Sequence, residues 1–471
     1  MKLLLLVLVL YITVPGIKGI SQQNEKKGPW EEAYKIIKHL DEPKFPDKEY
    51  NIVAFGAVGD GLTSNTAAIT AAINECSNKG GGRVLVTNGE FLTGPIHMKS
   101  NVDLHIDAGA SLKFSTDPAD YLPLVLTRWE GDDCYNYSPL IYANGQKNFA
   151  ITGKGTLNGQ GSTKYWWPWK GIKSWGWVEG TPSQLNENCR PLLKKYNDTR
   201  VPIEERRMGD GHYLRPQFIN FMHCENVKIE DVTIINSPFW VIHPVLSVNL
   251  IVRNVTVNSL GPNNDGCDPE SCKNVLIEKC TFNTGDDCIA LKSGRDFDGR
   301  KDNMPVENVI VRDCIMQNGH GGVAIGSEIS SGCKNIFVEN CQMNSPELDR
   351  AIRIKTNNSR GGITDGVYVR NVTVGEVSNA VISIDCSYHV DREGQGNYPP
   401  LVKNIYISDM TSKKATYAIF LQGLEGNICV DSIHIQDCIF TGVKEKNEIE
   451  NVGKLTIRNV VINGEPCNVE K

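Results

Sequence analysis

Asn274-Val-Leu-Ile-Glu-Lys-Cys280, Asn308-Val-Ile-Val-Arg-Asp-Cys314 and Asn335-Ile-Phe-Val-Glu-Asn-Cys341 are three copies of one pattern. Variants start at Asn226, Asn249, Gly366, Asn404, Ser432 and Lys454, at intervals of 22 to 38 residues. A repeat of this size marks a solenoid. Counting the first residue as zero, positions one and three are apolar in most copies, which is strand alternation. The alternation then slips by one, and positions six and eight are mostly apolar. At the slip, position five, eight of nine copies carry Asn or Asp: Asp231, Asn254, Asp313, Asn340, Asn371, Asp409, Asp437 and Asn459. These residues tolerate left-handed backbone angles and mark a sharp corner. Two short strands joined by a corner, repeated along the chain, predict the coils of an all-β parallel β-helix. A propeller needs longer repeats with hairpins, and the turn signals for those are missing.

The pattern extends towards the N-terminus through Asn101-Val-Asp-Leu-His-Ile and Asn148-Phe-Ala-Ile-Thr. Before them, Thr63 to Cys76 reads as a helix with Thr63 or Ser64 as N-cap and Ala67, Ile69, Ala72 and Ile73 for burial. It would cover the open end of the solenoid, where strand edges are otherwise exposed. Pro29 to Leu40 reads as a second, amphipathic helix. Residues 160–215 interrupt the repeat and hold five of the eight tryptophans, between Trp166 and Trp177. Packing of a lid and stacking on sugar are equally compatible with them. Leu3 to Val14 is an apolar run behind Lys2, too short to span a bilayer and placed as a signal peptide is, with cleavage near Gly16 or Gly19. The expected organisation is a signal peptide over 1–19, a helical segment over 20–48, and a parallel β-helix catalytic domain over 49–471. The expected location is secreted and extracellular, or periplasmic for a bacterial source.

Of 471 residues, 40% are hydrophobic and 22% charged, which provides a core and excludes general disorder. The balance of 49 basic against 55 acidic residues argues against a nucleic-acid binder. Fifteen cysteines invite disulfides in a secreted chain. However, Cys280, Cys314, Cys341 and Cys438 share position six, and Cys224, Cys272 and Cys333 each stand two before a repeat start. These seven read as stacked, buried thiols. Some of Cys134, Cys189, Cys267, Cys288, Cys386, Cys429 and Cys467 are expected to pair, with a connectivity the sequence does not give. Sequons at Asn136, Asn197, Asn254, Asn357 and Asn371 matter only for a eukaryotic source.

Four segments carry more polar chemistry than a solenoid needs: Asn264-Asp265-Gly266, Gly285-Asp286-Asp287, Gly319-His320-Gly321 and Arg353-Ile354-Lys355. Each alone is ordinary structure, and their common register distinguishes them. Aligning Cys280 with Cys314 puts His320 in the column of Asp286, one rung of about 4.8 Å away. Asp265 precedes Asp286 by about one coil. Aligning Ala290-Leu-Lys-Ser with Arg353-Ile-Lys-Thr puts Lys355 in the column of Lys292. Three carboxylates, a histidine and at least three cations therefore meet on one outer face. Glycosidic hydrolysis uses such a set: one carboxylic acid protonates the leaving oxygen and another carboxylate activates water or attacks carbon. Crowding raises the pKa of at least one carboxyl, and the cations suit a sugar carboxylate.

At these segments the chain resembles the glycoside hydrolases of family 28, the polygalacturonases. Their motifs Asn-Thr-Asp, Gly-Asp-Asp, Gly-His-Gly and Arg-Ile-Lys occur here in order, with Asn264 in place of Thr in Asn263-Asn264-Asp265. The resemblance extends to Phe55-Gly-Ala-Val-Gly-Asp-Gly and Ser237-Pro-Phe-Trp, so it covers nearly all of the mature chain. It implies a right-handed β-helix and hydrolysis of α-1,4-galacturonosidic bonds of pectin with inversion, the acid and base carboxyls standing more than about 6 Å apart. It implies Asp286 as general acid, Asp265 and Asp287 as holders and deprotonators of the water, and His320 as the group tuning the acid. Arg353 and Lys355 would bind galacturonate, with Lys292 and Asn264 as further substrate-binding candidates. No metal or organic cofactor is implied, the only partner is a galacturonan, and neither nucleic acid nor membrane is expected. The chain is expected to be a monomer. The lengths of the 115–145 and 160–215 segments favour exo action, because bulky loops can close a cleft. Competing readings are a rhamnogalacturonan-active relative, which departs from the Asp-Asp and Arg-x-Lys pairs, and a pectate lyase, which needs calcium and a basic proton acceptor. A non-catalytic β-helical glycan binder leaves the columnar carboxylates unexplained.

Overall fold

The structure, a computed structural model, describes residues 28–388 and 396–471. The signal-peptide reading and the first residues of the 20–48 segment lie outside them. The rest winds into a right-handed parallel β-helix. Strand register is set by columns of inward apolar residues. One column runs from Val84 through Leu104, Ile151, Ile229, Val252, Ile277, Val311, Val338, Val369 and Ile407 to Ile435 and Ile457. All are buried. Full burial of such side chains contributes about 1.5–3 kcal/mol each. A one-residue slip would turn the column outward, so the register is strongly specified.

The predicted corners are left-handed. Asp231, Asn254, Asp313, Asn340, Asn371, Asp409, Asp437 and Asn459 have φ between 50° and 69°. The ninth copy, with Lys279 at this position, bends the same way at φ 56°. The repeat's first residue is a second left-handed corner, at Asn226, Asn249, Asn274, Asn308 and Asn335. Their amides form a ladder: Nδ2 of each donates to Oδ1 on the rung before, over 3.0–3.1 Å. The Asn254, Asn340, Asn371 and Asn459 amides bond down the other corner in the same way.

The third face carries the polar segments. Strands Ile96–His97, Ile141–Asn144, Ile219–Met222 and Ile242–Val245 stack in parallel, as do Ile289–Leu291, Gly319–Gly326, Leu348–Lys355, Ala380–Asp385, Tyr417–Gln422 and Glu448–Glu450. Cys267 and Glu270 bridge the two sets, from Ile242 and Val245 to Ile289 and Lys292.

Helix α1, Pro29–Lys38, is not an end cap. Its Ala33 and Ile36 lie on outward Leu276, Ile310 and Phe337 of three successive rungs. Helix α2, Thr66–Asn78, covers the first rungs with Ile69, Ala72, Ile73 and Cys76. It starts three residues later than expected, because Asn65 takes the N-cap position while its side chain ties Val58, Thr63 and Leu92 together. Ala67 is exposed rather than buried. The far end is closed by Leu455–Ile462 pairing antiparallel with Glu465–Glu470.

All fifteen cysteines are free thiols, so the expected pairing within the second group does not occur; fourteen are buried and Cys467 is half-buried. Three sequon asparagines, Asn136, Asn197 and Asn357, are also buried. Their amides serve the interior, as Asn197 does for Asp132.

The Lys279 corner yields a stability prediction. A left-handed residue other than Gly or Asn costs about 1–2 kcal/mol. The Lys279 backbone N already bonds the next rung, at Arg312 O (3.1 Å), as its Asn and Asp counterparts do. Lys279→Asn should therefore stabilise the protein by about 1 kcal/mol, read as a raised denaturant midpoint at unchanged slope.

Candidate active site

Rung register brings the four segments together. Ala290, Ala324 and Arg353 align, as do Leu291, Ile325 and Ile354, which carries Lys292, Gly326 and Lys355 into one column. Ile289 pairs with Val323, which sets Asp286 beside His320. The Cys267–Ile289 bridge places Asp265 one rung from Asp287. Two glycines make the columns possible. A side chain on Gly321 would put Cβ 2.7 Å from Asp287 Oδ1. One on Gly326, at φ 98°, would strike Lys355 O at 2.0 Å.

His320 Nδ1 lies 2.9 Å from Asp286 Oδ1. Lys355 Nζ donates to Asp287 Oδ2 (2.7 Å), and Arg353 Nη1 to Asp287 Oδ1 and His320 O (both 3.3 Å). Lys292 Nζ donates to Glu328 Oε2 (2.8 Å) and rides 4.9 Å above the Trp240 ring. Tyr388 faces Arg353 and Lys355 with its ring. Asp265, Asp286, Lys292, His320 and Lys355 line a cavity of about 270 Å³ together with Trp240, Glu328 and Tyr388.

The site is not an open outer face. Asp287 is 0% exposed, and Arg353, Lys355 and Lys292 are buried. Two structures cover it. A hairpin, Val125–Trp129 and Asp132–Asn136, brings Glu130 to the cavity. The 160–215 insertion, with helix α3 over Arg190–Asp198, brings Lys170 and Arg190. Both are held by buried ion pairs. Arg128 binds Asp133 (2.8 Å), Glu270 (3.5 Å) and Asp302. Arg206 binds Asp298, and Arg190 binds Glu130 (2.5 Å). The insertion's tryptophans pack on Tyr121, Tyr213 and one another, and Trp240 is the tryptophan lining the cavity.

The charges separate the three carboxyls. Burial pushes Asp265 well above the usual carboxylate range, and Asp268, Asp286 and Asp287 add to the rise. Its Oδ1 has no hydrogen-bond partner among the described residues. Burial also raises Asp286, but the hydrogen bond and charge of His320, with Lys355 and Lys292, outweigh it and hold Asp286 well below. Lys355 and Arg353 do the same for Asp287 against its burial. His320 is driven up to about 9 by its bond to Asp286. Crowding thus raises Asp265 rather than Asp286.

Two further expectations change. Asn264 is fully buried and does not face the cavity. Its Oδ1 takes Ser259 Oγ (2.6 Å) and Gly261 N (3.0 Å), and its Nδ2 gives to Phe239 O and Pro262 O. It shapes the turn that aims Asp265 and cannot bind substrate. Asp287 has both oxygens engaged by cations and does not line the cavity, which suits it to holding Arg353 and Lys355. One oxygen from each of Asp265, Asp286 and Asp287 lies within 4.8 Å of the others. A divalent cation could bridge that spacing, but Lys355 and Arg353 already hold Asp287 and His320 holds Asp286.

The family profile of the glycosyl hydrolases, family 28, matches residues 206–459. A probable polygalacturonase of Vitis vinifera is 30% identical over 402 residues, covering 82% of this chain and 74% of that protein. An exo-poly-alpha-D-galacturonosidase of Dickeya chrysanthemi is 27% identical over 409 residues, covering 79% of this chain and 64% of the relative. The crystal structure of a hyperthermoactive exopolygalacturonase from Thermotoga maritima superposes with a TM-score of 0.90 at 45% identity, over 94% of this chain and 98% of that one.

The His320–Asp286 pair can be read directly. The folded pKa of His320 lies above its unfolded value, so with Asp286 ionised the histidine's contribution to stability is complete below about pH 6.5 and is lost as pH rises through about 9. The His320 ring proton followed by NMR should titrate near 9. In Asp286→Asn, which removes the two largest causes of the rise and leaves burial, Asp287 and Lys355, the midpoint should fall.

Proposed function

The chain belongs to the glycosyl hydrolases of family 28, and from that premise we propose that it is a polygalacturonase-type glycosidase that removes galacturonate units from the ends of polygalacturonate chains. One observation carries the exo reading: the cavity holding Asp265, Asp286 and His320 is only about 270 Å³ and is walled by Glu130 on the hairpin tip and by Lys170 and Arg190 on the insertion. Pockets for drug-sized ligands run from about 300 to 1,000 Å³, so this volume suits one sugar unit better than a through-running chain. The names of the Dickeya and Thermotoga relatives support the same reading. Export is proposed from the apolar Leu3 to Val14 run. No helix among the described residues is long and apolar enough to cross a membrane.

In the proposed reaction Asp286 delivers the proton to the leaving oxygen. It lines the cavity, and its hydrogen bond to His320 links it to a proton store. Asp286 is a carboxylate in the free protein, so the proton starts on His320: as negative charge develops on the glycosidic oxygen, His320 passes its proton to Asp286 and Asp286 passes it to that oxygen. Asp265, in its ionised form, holds the attacking water and takes its proton, while Asp287 fixes Arg353 and Lys355 for the sugar's charge. A second reading exchanges the first two roles, favoured by the raised pKa of Asp265.

For the stereochemistry, the family resemblance favours inversion.

Polygalacturonate digestion should release monomer from the first minutes, and NMR of that monomer should show the β-anomer. A ladder of oligomers would refute exo action, and a first-formed α-anomer would refute inversion. Asp286→Asn should lower kcat on polygalacturonate by about 10²–10⁴-fold. It should keep most activity on an aryl galacturonide whose leaving group needs no proton. If Asp265→Asn shows that sparing instead, Asp265 is the acid.

A further inference from the structure

Four cations from lysine and arginine line the cavity: Lys170, Arg190, Lys292 and Lys355. Three have a carboxylate within the protein: Glu130 for Arg190 (2.5 Å), Glu328 for Lys292 (2.8 Å) and Asp287 for Lys355 (2.7 Å). Lys170 differs. Its Nζ donates to the neutral Asn263 Oδ1 over 2.8 Å. Among the described residues no carboxylate stands within ion-pair distance of it.

Its position is built rather than incidental. Asn263 Oδ1 also takes Arg215 Nη2 (2.8 Å). Arg215 is fully buried and gives its other donors to Pro238 O, Pro262 O and Gln184 Oε1. The acceptor that aims Lys170 is therefore itself held. Lys170 feels both Glu130 of the wall and Asp286 of the catalytic group, so it lies in the region between them. Burial and Arg215 hold its pKa below the usual lysine value. A partly buried ammonium whose hydrogen-bond acceptor is a neutral amide recovers less of its lost solvation than one in a direct ion pair.

We propose that the missing anion is the substrate's, and that Lys170 is the specificity residue that binds the carboxylate of the galacturonate unit seated at the walled end of the cavity. Lys355 and Arg353, which share the one Asp287 carboxylate, then face the unit across the scissile bond. This rests on the galacturonan-hydrolase reading above and adds a residue from the insertion to it. A charge-assisted bond of this kind distinguishes a carboxylate from its ester.

The test uses trigalacturonate and the same trimer with its non-reducing-end carboxyl methyl-esterified. Wild type should prefer the free acid by about 30-fold or more in kcat/KM, the lower range for stranding one partner of a buried charge pair. Lys170→Gln can still donate to Asn263 but carries no charge. It should lose about 30-fold on the free acid, mostly through KM, and under about 3-fold on the ester, so that discrimination disappears. Lys170→Arg should keep most of it. Melting curves check that the variants fold. Equal losses on both substrates would mark Lys170 as structural and overturn the proposal, as would unchanged discrimination. A wild type that releases no monomer from polygalacturonate would overturn the functional reading and this inference with it. A wild type that does release monomer, beside a Lys170→Gln that still discriminates, would overturn this inference alone.

Discussion

Everything in this molecule depends on the register of one rung against the next. Parallel pairing every 4.8 Å or so converts distance along the chain into stacking. Buried columns such as Ile277, Val311, Val338 and Val369 hold that register, because a slip would expose each of them at once. Left-handed corners keep successive rungs the same shape, and the asparagine ladders tie the corners together. His320 meets Asp286, and Lys355 shares a column with Lys292, because the apolar residues beside them are already aligned.

The same stacking concentrates charge. Net charge is −6, and a galacturonan is itself a polyanion, so the overall field does not favour the encounter. The attraction is local. Lys355, Lys292, Lys170, Arg190 and His320 face one small cavity. Their partners are arranged unequally. Asp287 spends both oxygens on Arg353 and Lys355, while Asp265 leaves one oxygen unpartnered and is raised by burial. Groups of identical chemistry are thereby driven to opposite protonation, the condition that acid and base catalysis requires of a carboxyl pair.

Periodic features were legible in the amino-acid sequence, and non-periodic ones were not. The corner asparagines and aspartates, the Asp286–His320 adjacency and the Lys292–Lys355 column all follow from the repeat. Lys279 shows the limit of residue type: its corner is left-handed because its neighbours impose that shape. Asn264 was misread because a motif gives proximity, whereas its side chain turns to Ser259 and Gly261. The cysteines left to pair are free thiols, even Cys386 and Cys429, whose side chains share a hydrogen bond. The walls could not be placed, since residues 160–215 and the hairpin carrying Glu130 have no copy elsewhere against which to set a register. Glu328 was within reach: a buried lysine such as Lys292 needs an anion.

The buried pairs of Arg128 and Arg206 fasten the hairpin and its surroundings across one side of the cavity. In an end-cleaving enzyme a wall of that kind governs traffic as well as fit. A sugar freed against it is enclosed between the wall and the shortened polymer, and the polymer occupies the way out. The polymer must withdraw before the monomer can leave. On the proposed end-cleaving activity, each cleavage would then be followed by full dissociation, and trimming would be distributive, many chains losing one unit each rather than a single chain being followed.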